Sequence, residues 1–337
     1  MDNPNLSALP QGVQETLQSI FSGKAIPAIY YDIIAKGVLN PDIHPDRMNF
    51  LLRAITQDPS IEVSKGAPNE MVKRSVYSKT MISDIPSWLR DGRLADLEIQ
   101  KVAQEFIFTR TDLYGSDMLL LQYSVEENQA KGELNYDNVK DAVVVILMVD
   151  SPKVFDGYKG DHYIHRFTER VADTGLRYES KVKTIYVQLD KCLEQFKKGV
   201  NAEGDNRLQL MLAMIADAND EQVAERVSQD EMLAGICIDA KNMAQDKEVQ
   251  EMLIKEKYDQ MDWLSYGNSM KAEGKAEGKA EGKAEGKVEG ANEQANATAE
   301  KMLKRSKPLS EIIDFSGLTE KAVKDLAEKL KIKVVVG

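Results

Sequence analysis

The sequence predicts an α/β fold, a mixed β-sheet core flanked by helices and followed by a helical C-terminal extension. Three observations carry this. Residues 143–149 form an unbroken apolar run of mostly β-branched side chains, the pattern of a strand buried on both faces. Residues 106–127 have one apolar face, with Phe106, Leu113, Met118 and Leu121, and so read as a long crossover helix between strands. Residues 191–266 are rich in Met and Leu at helical spacing, with acidic outward positions.

Taken in order, residues 13–57 read as helical from the spacing of Tyr30, Ile33 and Ile34, and again of Met48, Leu51, Leu52 and Ile55. Strand-type runs follow at 61–63, 76–89 and 94–102, broken by turn residues. After the 106–127 helix come strands at 143–149, 163–171 and 184–189. The order over 46–190 is α-β-β-β-α-β-β-β. The chain divides into an N-terminal helical segment (1–45), a sheet core (46–200), a helical subdomain (201–268), a repeat (269–298) and a small helix-turn-helix-like unit (299–337).

The repeat is strict: KAEG four times and KVEG once, from Lys271 to Gly290. As a lone helix it is marginal, because each Gly costs about 1 kcal/mol relative to Ala and the i,i+4 neighbours carry like charges. It reads as a solvated spacer or as a helical arm that self-associates. In the last unit, Gly317 ends one short helix and Thr319 caps the next, which runs through Val323, Leu326 and Leu330. Glu320, Asp325 and Glu328 suit that second helix poorly to phosphate, so a small oligomerisation or capping unit is expected.

Composition narrows the function. With 42% apolar and 29% charged residues the chain can bury a core, and its net charge of −11 excludes a polybasic, histone-like binder. Residues 300–337 are the basic exception, at net +3. Two distant cysteines, Cys192 and Cys237, exclude a disulfide scaffold and a Cys-rich zinc fold. A polar start and the lack of any apolar stretch of about 18 residues predict a soluble, cytoplasmic protein without membrane spans. His162 and His165, three apart in a strand, fall on opposite faces and do not share a metal. No P-loop, HExxH or GxSxG sequence is present.

The informative stretch is 83–101. Asp84 closes one strand run, and Glu98 and Gln100 share a face of the next. Two carboxylates from adjacent strands are what a divalent-metal phosphodiesterase requires, since hard oxygen donors hold Mg²⁺. Register decides whether they meet. A two-residue turn at Asp91-Gly92 would pair Arg90 with Arg93 and set Asp84 against Ile99, on the wrong face. A three-residue loop with Gly92 left-handed pairs Leu89 with Arg93 and sets Asp84 opposite Glu98. The three-residue loop is expected, with Asp84 opposite Glu98.

Several segments resemble, in order, the recombination-promoting nuclease/transposase (Rpn) family of bacterial proteins, which carry a PD-(D/E)XK, restriction-endonuclease-like core. Tyr31-Asp32-Ile33-Ile34-Ala35-Lys36 is similar to its D-x-x-F-K opening, with Ala35 for Phe, and 49–55 to its Leu-rich helix. Asp84 with Leu97-Glu98-Ile99-Gln100 is similar to its D…I-E-I-Q site. Arg110, Tyr114 and Gln122 resemble its R-x₃-Y…Q helix, and Leu189-Asp190-Lys191 its E-L-P-K strand end. The GKAEG-type repeat and short C-terminal unit are also habitual in the family.

The resemblance implies a metal-dependent DNA endonuclease in which Asp84, Glu98 and the backbone carbonyl of Ile99 ligate Mg²⁺ or another divalent cation. Gln100 would orient water or a phosphate oxygen, without the positive charge of the Lys found elsewhere in the superfamily. Arg110 and Tyr114 share a helix face and would contact phosphate or buttress the sheet. Gln122 reads as surface, and Asp32 as a surface residue at a helix start or a third acidic ligand. DNA binding would draw on a local basic face of Lys73, Arg74, Arg90, Arg93, Lys101 and Arg110. The alternative is a catalytically inactive relative that binds DNA or forms a homo-oligomer through 271–290.

Overall fold

A six-stranded sheet organises the first part of the chain, with strand order β1-β2-β3-β4-β6-β5. Its strands are β1 (Val63–Gly66), β2 (Ile85–Leu89), β3 (Leu94–Gln100), β4 (Ala142–Met148), β5 (Ile164–Val171) and β6 (Arg177–Gln188). The computed structural model describes residues 4–67, 84–103, 106–129 and 138–335. The sheet is mixed, as predicted: β3, β4 and β6 run parallel, and the remaining pairs are antiparallel. β4 is buried at all seven positions, which explains its unbroken apolar sequence.

Helix α5 (Ile107–Gln129) is the crossover from β3 to its parallel neighbour β4. Ile107, Tyr114 and Met118 pack onto Leu94, Ala142, Val144, Ile146 and Met148, so one face of β3 and β4 lies under α5. A Cβ at Gly115 would stand 2.3 Å from Val182 Cγ1, so the bare backbone lets α5 approach β6 closely.

The predicted helical stretch 13–57 contains α2 (Gln11–Phe21), α3 (Asp32–Val38) and α4 (Pro45–Thr56), preceded by α1 (Pro4–Ser7). After the sheet come α6 (Leu189–Lys197), α7 (Asn206–Ala216), α8 (Glu221–Val227), α9 (Glu231–Met243) and α10 (Lys247–Lys304). Asp205, Asp220 and Asp230 cap α7, α8 and α9 by accepting backbone N–H bonds. Contacts of α3 with α9 and of α4 with β1 and α7 join the N-terminal helices, the sheet and the later helices into one unit, Met1–Tyr258.

Some expectations move. The first strand begins at Val63 instead of ending there, and residues 76–83 of the second lie outside the described residues. β6 starts at Arg177, seven residues before the expected 184, because its outer half is an exposed hairpin with β5 and shows no apolar pattern. Leu189 opens α6 instead of closing the strand.

The second unit, Asp259–Gly337, holds the C-terminal helices. There α11 (Leu309–Ser316) ends at left-handed Gly317, and Thr319 Oγ1 accepts the Ala322 N–H to cap α12 (Glu320–Lys329). Ala299, Leu303, Leu309, Ile312, Val323 and Ala327 form its small core. The KAEG repeat is helical throughout, within α10. A helix packed at both ends, by buried Leu253 and Ile254 and by buried Ala299 and Leu303, is spared the nucleation cost, and the Gly and like-charge costs of the repeat fall on propagation alone. Among the described residues no helix is long and apolar enough to cross a membrane.

Gly115→Ala must push Val182 or α5 aside. We expect it to lower unfolding stability by about 1–3 kcal/mol, read from the urea midpoint at unchanged m-value.

Candidate active site

The β2–β3 turn sets the site. Leu89 N–H bonds to Arg93 O at 2.9 Å and Gly92 N–H to Leu89 O at 3.0 Å, with Gly92 at φ 87°. That left-handed residue makes the turn three residues long. The ladder then runs Trp88 with Leu94, Ser87 with Ala95, Pro86 with Asp96 and Ile85 with Leu97. One step further, Asp84 stands opposite Glu98. Since Leu89 and Arg93 share a hydrogen-bonded pair, alternation makes Asp84 and Glu98 a non-hydrogen-bonded pair, the kind whose side chains lie closest.

The two carboxylates interlock. Asp84 N–H donates to Glu98 Oε1 at 2.9 Å, and Ile99 N–H donates to Asp84 Oδ2 at 2.8 Å. The other Asp84 oxygen lies 4.0 Å from Lys36 Nζ, and Glu98 Oε2 lies 3.6 Å from Arg110. Gln100 O accepts the Val149 N–H on the β4 side, so the peptide groups of Ile99, one residue earlier, face the β2 side. The Ile99 carbonyl thus belongs to the same sheet edge as the Asp84 carboxylate.

Electrostatics show what the pair lacks. Burial pushes the Glu98 carboxyl up to about 10, helped by Asp96 and Asp84 and opposed by the Asp84 N–H and Arg110. Burial also raises Asp84, with Asp32 adding to it, while the Ile99 N–H, Lys36 and Lys101 pull it down. Two carboxylates held this close and this dry favour shared protonation unless a cation neutralises them. Among the described residues no three His, Cys, Asp or Glu side chains gather at metal distance. Two carboxylates still suit Mg²⁺, which keeps several waters and typically takes only one or two carboxylates.

From α5, Arg110 Nη2 and Nε donate to Tyr114 Oη at 2.7 and 3.1 Å, and Arg110 Nη1 donates to Gln100 Oε1 at 3.4 Å. Gln100 Nε2 donates to Val102 O at 2.7 Å. Asp84, Glu98, Ile99, Gln100, Arg110 and Tyr114 therefore come together. Arg93 does not: it sits at the turn, five ladder positions or about 17 Å from Asp84, bonded to Asp58 and Asp91. Lys101 closes the far end of β3, where it pairs with Asp32 at 2.8 Å and with Glu256 of α10. Burial would favour its neutral amine, but Glu256 and Asp32 hold it more firmly charged. Lys73 and Arg74 lie outside the described residues, and Arg90 pairs with Glu62 at 3.2 Å.

One expectation is corrected. Gln122 is buried, not surface: its Oε1 accepts the Lys140 N–H at 3.0 Å just before β4. Sequence reasoning also missed Asp96, wholly buried on the Glu98 face; the alternation Asp96-x-Glu98-x-Gln100 was the signal. Nothing local marked Glu256, which lies 155 residues from its partner Lys101.

A family model described as PD-(D/E)XK nuclease family transposase matches residues 40–268. The chain belongs to this family, and its six-stranded mixed sheet with flanking helices is the corresponding α/β fold. No curated protein and no solved structure matches the chain.

Glu98 also makes the metal-free protein pH-sensitive. Its folded carboxyl sits above the ordinary 4.5, so the folded state holds the proton more tightly and stability is lost as pH rises between about 4.5 and 10. In EDTA, the wild-type Tm should fall from pH 5 to pH 8, and Glu98→Gln should flatten that slope.

Proposed function

We propose that the protein is a cytoplasmic, Mg²⁺-dependent DNA endonuclease that hydrolyses phosphodiester bonds at Asp84 and Glu98. The observation that supports this most is the reciprocal bonding of the two carboxylates across the β2–β3 pair, where burial raises both carboxyls despite nearby Lys36 and Arg110. Asp84, Glu98 and the Ile99 carbonyl would hold the divalent cation. Bound there, such a cation supplies charge compensation for the phosphodiester and acidifies water.

The chain's own residues do the rest. The Ile99 and Asp84 amides fix one oxygen of each carboxylate, which leaves the second oxygen for a ligand. Gln100 keeps a second amide N–H beyond its bond to Val102, available to a water or a phosphate oxygen. Arg110 offers guanidinium charge toward the scissile phosphate, and Tyr114 aims it through two bonds to its hydroxyl. Burial under α5 keeps bulk water from screening these charges.

The unbroken helix through 271–290 favours one further property, self-association through the repeat. Deleting 271–290 should lower the mass measured by light scattering, and an unchanged mass removes the arm.

The central test is plasmid nicking with and without Mg²⁺. Asp84→Asn and Glu98→Gln should each lower the rate by at least about 100-fold, since loss of even an outer partner of a metal ligand costs 10–100-fold. Nicking by either variant at the wild-type rate would remove the reaction from this site.

A further inference from the structure

Beside Asp84 lies a cavity of about 530 Å³ between α3, β1 and β2, within the roughly 300–1,000 Å³ range of small-molecule sites. Lys36, Lys65, Asp42, Asp84 and Trp88 are among its lining. We propose that this cavity is a subsite for a backbone phosphate of the nucleic acid, held by Lys36 and Lys65. The identity of the ligand rests on the nuclease reading above.

Three observations converge on it. The first is connection to the reacting centre: Asp84 lines the cavity with one carboxylate oxygen 4.0 Å from Lys36 Nζ, while its other oxygen is tied to the Ile99 N–H. A phosphate drawn to Lys36 therefore lies next to the carboxylate pair.

The second is the state of the other cations nearby. Lys101 is spent on Asp32 and Glu256, and Arg110, held by Tyr114, Gln100 and Glu98 under α5, is placed for the scissile phosphate and not for a second one. Lys36 keeps a third of its side-chain surface exposed at 32%, and Lys65 is exposed with no ion pair among the described residues.

The third is the disposition of the acidic groups. The Asp42 carboxylate is taken up by the Gly66 N–H at 2.8 Å, and Asp84 is the group on which a cation would be held. With Asp84 neutralised in that way, two amines face one engaged carboxylate, and the cavity favours an anion. Lysine binds phosphate as a point charge and needs no fork geometry, which suits two amines reaching in from a helix and an edge strand.

The subsite explains how a chain of net charge −11 brings a polyanion to a carboxylate pair: local amines on the approach side act where the overall field repels.

The experiment is fluorescence anisotropy of a short labelled duplex against the full-length protein, with Ca²⁺ in place of Mg²⁺ so that the carboxylate pair is neutralised, over a series of salt concentrations. Lys36→Met and Lys65→Met should each weaken binding, and the double variant should lower the slope of log K against log salt by about 0.9, the value of the one phosphate that the two amines share. Lys36→Arg and Lys65→Arg should keep the wild-type slope. Lys159→Met, at a separate cavity beside Tyr158 and Lys191, should change nothing. A wild-type slope in the Lys36→Met/Lys65→Met double variant overturns the subsite. So does an equal loss in Lys159→Met, or no measurable duplex binding by the wild type.

Thermal melts accompany each variant; should Lys36→Met unfold, Lys65→Met on the exposed edge carries the test. The two readings separate cleanly. Wild-type salt slopes with Mg²⁺-dependent nicking intact remove only the subsite. Wild-type nicking by Asp84→Asn removes only the reaction.

Discussion

One backbone torsion governs the site. Gly92, at φ 87°, makes the β2–β3 turn three residues long, and the turn length sets the register of everything above it. Because side chains alternate across a strand, a slip of one residue would send Asp84 to the face opposite Glu98. With the observed pairing, the two acids stand side by side and each takes a backbone N–H from the partner strand. The carboxylate pair is thus built from ladder geometry more than from side-chain flexibility, and it is rigid for that reason.

That rigidity has an energetic cost. Asp96, Asp84 and Glu98 crowd one buried face beneath α5, and burial drives Glu98 far above the ordinary carboxylate range. Such an arrangement opposes folding at neutral pH and makes sense where a cation offsets the charge. The surrounding sheet supplies the compensating stability: β4 contributes seven buried apolar residues at the centre, and α5 lies close over it because Gly115 has no side chain.

A second electrostatic node fastens the periphery to this centre. Lys101, just past β3, ties Asp32 at the start of α3 to Glu256 of α10. Lys36 is one helical turn along α3 from Asp32, so the same clamp that anchors the helix also aims Lys36 at Asp84. The helices before and after the sheet therefore bear on the site directly, although they lie outside the strands that carry the acids.

Much of this was legible in the residues. The unbroken run at 143–149 announced a central strand, and the apolar residues over 106–127 announced a crossover helix, although Phe106 and Leu113 of the expected face are exposed and Ile107 and Tyr114 pack on the sheet instead. Asp91-Gly92 with its flanking residues allowed the turn to be worked out, and with it the meeting of Asp84 and Glu98. These are local properties, governed by the period of a strand or helix and by the steric freedom of glycine. The outer half of β6 was illegible because it is exposed and lacks apolar alternation. The burial of Gln122, the capture of Lys101 by Glu256 and the approach of Lys36 to Asp84 were equally hidden. Each joins groups from separate elements, and no spacing along the chain encodes a meeting that depends on how those elements pack.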